Sequence, residues 1–348
     1  MVNLSIIYRI KGRVMHFVIV GCGAVGGYFG GRLAQHGENV TFVARGQQFQ
    51  RMQTSGLTIK SIEGDVQLDK VNVVNAQSLT AETLPTPADV IFLCVKSFQL
   101  PAAIAQIKAL ILPHTRVIPL LNGVNAVDVM QDHGIALENI FGGLAKIIAK
   151  KTSDGVINHT GSKPHITLGV FSDEVLEDSI VDSRFEQVDE VKAAQVKAEV
   201  TERLSAIAKC FKLAGVSVGV TSDIKLALWR KFILVAAWGA LAAARKLNLG
   251  EIRAKSHITF LLERIVNEYA DIARKAGIKI GDKHIKETLS FLSRLPDSSE
   301  TSMQRDLAAG QYSEFDVLMA YPMTLVAEFN LSVPVLTQCY QKIIAGSP

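Results

Sequence analysis

A glycine-rich turn directly after a short apolar run is the feature that most constrains how this chain folds. The run Phe17-Val18-Ile19-Val20 leads into the hexapeptide Gly21-Cys22-Gly23-Ala24-Val25-Gly26. A strand, a Gly-x-Gly-x-x-Gly turn and a helix bring unpaired backbone N–H groups and the positive end of the helix dipole to the place where a pyrophosphate binds. Gly21 makes the tight turn, Gly23 admits the pyrophosphate and Gly26 lets the helix pack closely on the strand. The sequence therefore predicts a dinucleotide-binding unit.

The composition is that of a globular protein with two domains. The chain has 348 residues, of which 48% are hydrophobic and 20% charged, and a domain usually contains about 100–200 residues. The formal net charge of +4 is small, and no basic run contains interleaved aromatic side chains, so we expect no nucleic-acid partner. The four cysteines form no Cys-x-x-Cys pair, which indicates buried free thiols in a reducing compartment and no metal site.

Two segments of the sequence bear on where the protein is located. Residues 1–14 carry basic residues but lack the apolar core and cleavage site of a signal peptide, so they are predicted to form an N-terminal tail. The apolar run from Phe232 to Ala244 is shorter than the roughly 20 residues that span a bilayer, which favours a buried core helix. We therefore expect a cytoplasmic protein with no membrane partner.

Strand-like and helix-like segments alternate through the N-terminal part of the chain. Apolar runs that are typical of strands follow the first one at residues 39–44, 88–95 and 116–121. Nearly continuous apolar strands separated by helices indicate a parallel sheet that is covered on both faces. Ligands of such sheets bind beyond the carboxyl ends of the strands, which is where Arg45, Lys96 and Asn122 lie.

The pattern changes after residue 220. A last short strand at 216–220 closes the first domain, and a polar, acidic stretch at 171–199 precedes it as an exposed loop or solvated helix. The helices predicted beyond Thr221 begin with one capped by Ser222 or Asp223 and continue at 257–276, 283–294, 301–309, 314–329 and 334–344. The prediction is an α/β Rossmann-like domain with a parallel sheet at 15–220, followed by an all-α domain at 221–348.

The residue at the end of the second strand distinguishes NAD from NADP. An acidic residue there binds the ribose 2′-hydroxyl of NAD, whereas an arginine accommodates the 2′-phosphate of NADP. Here Glu38 precedes the strand, Arg45 ends it and Arg51 follows closely. The charge therefore favours NADP, and the alternative is that Arg45 is a solvated loop residue.

Three residues of the C-terminal half have side chains suited to acid–base chemistry or binding, and each also has an ordinary structural interpretation. Lys231 opens an apolar helix segment, so it either extends to solvent or faces a cleft, where a dehydrated ammonium group is a good proton donor to an alkoxide. Glu314 near a helix start suits an interaction with the helix dipole, and Ser302 suits a helix N-cap. Taken singly, these residues leave both interpretations open.

Six short motifs, taken together and in order, resemble the ketopantoate reductase (2-dehydropantoate 2-reductase) family. They are GCGAVG at 21–26, CVKSFQ at 94–99, LLNGV at 120–124, LWRKF at 228–232, TSMQRD at 301–306 and EFD at 314–316. The resemblance extends from Met15 almost to the C-terminus. It implies a Rossmann domain and a helical domain that enclose NADPH and a 2-oxo acid. It also implies the reduction of 2-dehydropantoate to D-pantoate, on the way to pantothenate and coenzyme A.

The same resemblance implies roles for individual residues. Lys231 is similar to the general acid that protonates the substrate's carbonyl oxygen, and Glu314 to the carboxylate that closes the cleft against cofactor and lysine. Asn122 is similar to the asparagine that contacts both cofactor and substrate. The remaining implied contacts are Arg45 with the cofactor's 2′-phosphate, Lys96 with the cofactor, and Ser302 with the substrate.

The chain departs from the family on the substrate side. The family has asparagines four and eight residues after the catalytic lysine, on one helical face, where this chain has Val235 and Gly239. Ser299 replaces another asparagine, and Asn248 lies one residue out of register with a further one. Loss of such donors leaves a polar group of the substrate unpaired. The departures therefore suggest a paralogue that acts on a different, more apolar 2-oxo acid.

Two further functions fit parts of the pattern. A β-hydroxyacid dehydrogenase shares the Rossmann-plus-helical plan and also uses a lysine, but Arg45, Asn122 and the spacing of Ser302 and Glu314 favour the first interpretation. A non-catalytic NADP-binding sensor would explain the altered substrate side, whereas the retained Lys231 argues against it. In each case we expect a small-molecule ligand and a monomer or homodimer.

Overall fold

The computed structural model describes residues 14–171 and 190–346, and the chain divides into two compact units. Unit 1 comprises Met1–Leu121 and Ala126–Ile224, and unit 2 comprises Asn122–Asn125 and Lys225–Pro348. The boundary thus lies four residues beyond the one expected at 220, and a short segment after the seventh strand belongs with unit 2. The predicted tail, except Val14, and most of the acidic stretch lie outside the described residues.

Unit 1 is built on a parallel five-stranded sheet. Its strands are β1 (His16–Val20), β2 (Asn39–Ala44), β5 (Asn72–Asn75), β6 (Val90–Leu93) and β7 (Arg116–Pro119). They lie in the order β5-β2-β1-β6-β7, and every neighbouring pair is parallel. This is the strand order of a Rossmann-type doubly wound sheet, with β1 at its centre. The predicted parallel sheet is confirmed.

Five α-helices are described in unit 1, and two of them pack against this sheet through a buried aromatic cluster. The five helices are α1 (Ala24–His36), α2 (Gly46–Ser55), α3 (Leu100–Ile107), α4 (Ala126–Asp132) and α5 (Glu190–Leu213). Phe211 of α5 packs edge-on against Phe17 of β1, Phe92 of β6 and Phe29 of α1. Because these rings are fully buried, they fix α1 and α5 on one face of the sheet and hold the glycine turn at its edge.

The described residues of unit 1 also form two smaller sheets, and most of their strands were not predicted. One has the order β4-β3-β10-β9 and contains β3 (Leu57–Ser61), β4 (Val66–Leu68), β9 (Ala149–Lys151) and β10 (Ile157–His159). The other has the order β12-β11-β8 and contains β8 (Gly142–Lys146), β11 (His165–Gly169) and β12 (Ser217–Thr221). The predicted strand at 216–220 is β12, which pairs with β11.

Unit 2 is helical, as predicted for the second domain. Its helices are α6 (Ile224–Arg245), α7 (Leu249–Arg253), α8 (Ser256–Lys275), α9 (Asp282–Arg294), α10 (Ser302–Ala308), α11 (Tyr321–Glu328) and α12 (Pro334–Ala345). The segment expected as one helix at 314–329 instead begins with a π-helix at Asp316–Ala320, which continues into α11. A π-helix inside a helical segment is frequently found at functional sites.

Helix α6 forms the centre of the unit 2 core. It has 22 residues, more than the apolar run from Phe232 to Ala244 within it, so by length and composition it is able to cross a membrane. Its apolar side chains, however, are buried by other helices of the unit. These include Phe232, Ile233, Ala236, Ala237, Ala240 and Leu241. Such burial is typical of a core helix.

The carboxylate of Glu268 on α8 caps the start of α12. Its two oxygens accept hydrogen bonds from the backbone N–H groups of Val335, at 3.1 Å, and Leu336, at 2.7 Å. The first N–H groups of a helix have no partner within it, and the N-cap residue Val333 supplies none from its side chain. Burial raises the pKa of Glu268, and the two N–H donors oppose that rise. Glu268 therefore joins α8 to α12.

Glu268→Ala is expected to lower the free energy of unfolding by about 2–4 kcal/mol, because it leaves two buried N–H groups unpaired. Urea titration followed by circular dichroism measures the effect. Glu263→Ala, at an exposed position of the same helix, serves as the control and is expected to change stability by less than about 0.5 kcal/mol. Equal losses in the two variants would show that Glu268 does not cap α12.

Candidate functional site

The turn after β1 accepts only glycine at its first position. Gly21 has a positive φ of 99°, and its N–H donates to the carbonyl oxygen of Val43 on β2. A Cβ atom at Gly21 would lie 2.8 Å from the carbonyl carbon and oxygen of Cys94, just beyond β6. At Gly26 a Cβ atom would lie 2.2 Å from the oxygen of Gly21. The two glycines therefore let α1 start directly on the turn.

Gly23, between Gly21 and Gly26, has free space around its Cα atom. It is the N-cap of α1, and a Cβ atom built there would meet no atom within 4 Å. Among the described residues, no side chain caps this helix, and its first turn contains no acidic residue. The free N–H groups and the helix dipole at such an end attract an anion. The local geometry therefore fits a pyrophosphate group close to the backbone of Gly23 and Ala24.

Cys22 faces the interior rather than the open side of this turn. Its Sγ atom donates to the carbonyl oxygen of Val43 at 3.4 Å. Burial raises the pKa of the Cys22 thiol to about 12, and the nearby charge of Lys151 opposes that rise. Burial also raises the pKa of Cys94. Both thiols are therefore protonated packing groups, and Cys22 and its half-buried neighbour Val25 can contact a ligand chiefly through the backbone.

Arg45 lies directly after β2, where it is the N-cap residue of α2. Its side chain is exposed, and Nη2 donates to the amide oxygen of Gln106 on α3 at 3.3 Å. This acceptor is neutral, so the hydrogen bond orients the guanidinium group without neutralising its charge. A cation at this strand end suits a phosphate on the adenosine ribose.

Two further cations lie at α2: Arg51 belongs to the helix itself, and Lys151 lies on a strand next to it. Nζ of Lys151, on β9, donates to Oε1 of Gln48 at 3.1 Å, and Arg51 donates to the carbonyl oxygen of Ser153. Lys151 also acts electrostatically on Cys22 in the glycine turn. The sequence analysis did not identify Lys151, because it lies on a short strand of a sheet that was not predicted. Its only sequence signal is the pair of lysines at 150–151.

Lys96 follows β6 by three residues. Its backbone N–H donates to Oε1 of Gln99 at 3.2 Å, which holds the loop in a short 3₁₀ turn. The next residue, Ser97, has a buried hydroxyl group with no hydrogen-bond partner among the described residues. Buried hydroxyl groups are usually paired. Ser97 is therefore a second polar group of this loop, besides Lys96, that fits a ligand.

In unit 2, the structure brings Asn122 and Glu314 together across 192 positions of sequence. Nδ2 of Asn122 donates to Oε2 of Glu314 at 2.9 Å, and Glu314 is only 4% exposed. Gly123 beside it has a φ of 100°, and a Cβ atom there would lie 3.2 Å from Cβ of Val317 in the π-helix. The segment 122–125 thus packs on the π-helix and orients a buried carboxylate.

Lys231, Val235 and Gly239 lie on one face of α6. They are spaced by four residues, so successive positions differ by only about 40° around the helix axis. Lys231 and Val235 are half-buried, and Gly239 is buried. A Cβ atom at Gly239 would lie 3.3 Å from Cε of Met303 and 3.5 Å from Oγ1 of Thr301. This face therefore runs from Lys231 to the start of α10.

Two helix N-caps of unit 2 involve residues that the sequence singled out. The N-cap of α10 is Thr301, whose Oγ1 accepts from the N–H of Gln304 at 3.2 Å, so Ser302 is not the cap. Asn248 caps α7 in a reciprocal pair with Glu251, at 2.9 and 2.8 Å. Its side-chain oxygen is thus bonded at the start of this helix.

Comparison with protein families gives two matches that together cover most of the chain. A model described as "Ketopantoate reductase PanE/ApbA" matches residues 17–173, and one described as "Ketopantoate reductase PanE/ApbA C terminal" matches 223–346. A similar protein, the uncharacterized oxidoreductase YkpB of Bacillus subtilis, is 26% identical over 94% of this chain and 98% of its own. A 2-dehydropantoate 2-reductase of Nostoc sp. is 23% identical over 94% of this chain and 93% of its own.

Solved structures share the fold. A 2-dehydropantoate 2-reductase from Geobacter metallireducens has a TM-score of 0.79 and 23% identity, covering 95% of this chain and 99% of its own. A D-mandelate dehydrogenase in complex with NADH and anilino(oxo)acetate has a TM-score of 0.77 and 21% identity. The similarity covers 95% of this chain and 98% of the dehydrogenase chain. The same architecture therefore occurs in proteins that carry different names.

Proposed function

Since the chain belongs to the ketopantoate reductase family, and is thus an oxidoreductase, we propose that it uses NADPH to reduce the carbonyl group of a 2-oxo acid to a 2-hydroxy acid. The observation that carries this proposal is the open, uncapped start of α1 at Gly23, at the edge of a parallel sheet. Ketopantoate, reduced to D-pantoate for pantothenate synthesis, is the first candidate substrate. A more apolar 2-oxo acid is the second, and the departures at Val235 and Gly239 favour it over the first.

We assign the cofactor to residues at the carboxyl ends of the sheet strands. The backbone from Gly21 to Gly26 binds the pyrophosphate, Arg45 binds the 2′-phosphate, and Lys96 contacts the cofactor nearby. NADPH, when bound, supplies the hydride. A charged donor at the position of Arg45 makes stronger hydrogen bonds to phosphate than a neutral one does, and this supports NADP rather than NAD.

We assign the acid–base chemistry to unit 2. Lys231 gives a proton to the carbonyl oxygen of the substrate as negative charge develops there. Glu314, held by Asn122 at 2.9 Å, is the carboxylate that we place against this lysine. Asn122 and Ser302 bind the substrate, and Asn122 and Glu314 also contact the cofactor. The buried hydrogen bond between Asn122 and Glu314 supports this assignment, because it fixes the carboxylate in one orientation before ligands arrive.

The α6 face supports the second candidate substrate. Val235 and Gly239 carry no polar side-chain atoms, and Gly239 packs against Met303 and Thr301. Such a surface suits a branched or aromatic substituent better than a hydroxyl group, which would lose its hydrogen bonds to water there. The solved D-mandelate dehydrogenase structure of the same fold contains anilino(oxo)acetate, an oxalic acid anilide that combines a carboxylate, an adjacent carbonyl group and an aromatic ring.

We further propose that the protein is cytoplasmic and is a monomer or homodimer.

Steady-state oxidation of NADPH by the purified chain tests the proposal. The 2-oxo acids compared are ketopantoate, 4-methyl-2-oxopentanoate and phenylpyruvate, and the 2-hydroxy acid is quantified alongside. We expect stoichiometric product and a kcat/KM for a branched or aromatic acid at least about tenfold above that of ketopantoate, the range that loss of one good hydrogen bond produces. A preference for ketopantoate would exclude the second substrate, and absence of oxidation with every acid would leave an NADP-binding sensor.

Arg45→Gln is expected to raise the KM for NADPH by about 10- to 100-fold, since a hydrogen bond to a charged group contributes about 1.5–3 kcal/mol. The KM for NADH is expected to change little, because NADH has no 2′-phosphate. Arg51→Gln serves as the control, since its guanidinium group is bound to Ser153. Equal effects of Arg45→Gln on both cofactors would contradict a 2′-phosphate contact.

A further inference from the structure

The indole N–H of Trp238 is a buried hydrogen-bond donor without an acceptor among the residues that the structure describes. Trp238 lies on α6, and its ring packs against the core of unit 2. Buried tryptophan N–H groups usually have a partner, since an unpaired buried donor costs about 1–3 kcal/mol. The indole N–H is a donor only. Whatever group pairs with it in the working protein must therefore be an acceptor.

Helix geometry places Trp238 on the face of α6 that carries Lys231. Seven residues separate the two, so they differ by only about 20° around the helix axis and by roughly 10 Å along it. Val235 lies between them on the same face. The residue after Trp238 is Gly239, which packs against Thr301 and Met303. Trp238 therefore lies beside the face that we assign to substrate, about two helical turns beyond the proposed proton donor.

The indole of Trp238 forms different hydrogen bonds from the asparagine side chains that the family has where this chain has Val235 and Gly239. An amide side chain both donates and accepts, so it can satisfy a hydroxyl group and a carboxylate alike. An indole donates through one N–H and otherwise presents a broad apolar surface. Together with Val235, it suits a ligand that offers an acceptor oxygen beside an apolar substituent. A carboxylate oxygen is the strongest such acceptor, because hydrogen bonds to ionised groups are roughly twice as strong as neutral ones.

We infer that Trp238 is a substrate-specificity residue, whose indole N–H donates to a carboxylate oxygen of the 2-oxo acid while its ring and Val235 contact the substituent. This inference rests on the proposed function and narrows its substrate class. The preferred 2-oxo acid has an apolar side chain without a hydroxyl group. The indole thus takes over the binding of the carboxylate on a helix face that has no asparagine at 235 or 239.

Trp238→Phe tests the inference because it removes the N–H and retains an aromatic ring. We expect kcat/KM for 4-methyl-2-oxopentanoate to fall by about 10- to 100-fold, with the Kd for NADPH and the thermal unfolding temperature nearly unchanged. Trp229→Phe is the matched control: Trp229 lies on the same helix, and its ring packs edge-on against Phe232 in the core. An unchanged kcat/KM in Trp238→Phe would overturn the inference.

A binding measurement separates this inference from the proposed function. The chain has two tryptophans, so the Trp229→Phe protein labelled with ¹⁵N gives a single indole N–H resonance, from Trp238. On addition of 4-methyl-2-oxopentanoate to the protein with NADP⁺, we expect this proton to shift downfield and to exchange more slowly with water. No shift at saturating acid would overturn the inference. If the shift appears but NADPH is not oxidised with any acid, the binding role stands and the proposed reductase function fails.

Discussion

Lys231→Met is expected to lower kcat for the best 2-oxo acid by roughly a hundred- to ten-thousand-fold, which is the contribution typical of a positioned general acid. The variant retains an unbranched apolar stem of similar length, so it preserves the packing of the half-buried side chain on α6. It removes only the proton donor. Because the proposed cofactor residues Gly21–Gly26 and Arg45 are unchanged, the Kd for NADPH should stay close to the wild-type value.

Steady-state rates and a fluorescence titration with NADPH separate these two effects. Lys225→Met, at an exposed position of the same helix, is the control and should retain the wild-type kcat. A Lys231→Met variant with a wild-type rate on every active 2-oxo acid would contradict the assignment of Lys231 as the acid. A variant that lost NADPH binding as well would instead indicate a structural role.

Gly23→Ala is expected to weaken NADPH binding by about 10- to 100-fold, the effect of about 1–3 kcal/mol of overpacking. The backbone of Gly23 is extended, and a Cβ atom would contact nothing within 4 Å in the protein. The methyl group should therefore leave folding nearly intact and meet the cofactor instead. Calorimetric titration with NADPH measures the effect, and thermal unfolding of the free protein checks the fold.

Gly21→Ala provides the contrasting variant. Its positive φ of 99° and the approach of 2.8 Å to the backbone of Cys94 predict a folding defect. The two substitutions, two positions apart, should thus have different effects: Gly23→Ala weakens cofactor binding, and Gly21→Ala destabilises the fold. A Gly23→Ala protein that binds NADPH as tightly as the wild type would show that the pyrophosphate does not approach this glycine.

The central sheet was predictable because its signals are local. The strands β1, β2, β6 and β7 are short, nearly continuous apolar runs, as expected when both faces of a sheet are covered, and the glycine turn follows β1 directly. The strands β9 and β10 have three residues each and carry polar side chains such as Lys150 and Asn158. Neither length nor apolar periodicity distinguishes them from loops, so the smaller sheets, and Lys151 with them, were missed.

The candidate site was predictable only where its residues are close together in the sequence. Spacing along α6 places Lys231, Val235 and Gly239 on one face, and the structure agrees with that arrangement. The hydrogen bond between Asn122 and Glu314 joins residues 192 positions apart, which no local pattern indicates. The family resemblance implied a role for each residue but not this contact between them. Asn248 shows why residue type alone does not predict a role. An asparagine can serve as a substrate ligand or as a helix cap, depending on its surroundings.

The transfer of deuterium tests the central claim most directly. NADPH deuterated at the transferable position is incubated with the purified chain and its best 2-oxo acid, and the product is examined by mass spectrometry and NMR. The account predicts a 2-hydroxy acid with deuterium on the carbon that carries the new hydroxyl group, in step with the NADPH consumed. Consumption of NADPH without deuterium in the product, or no consumption with any 2-oxo acid, would contradict it.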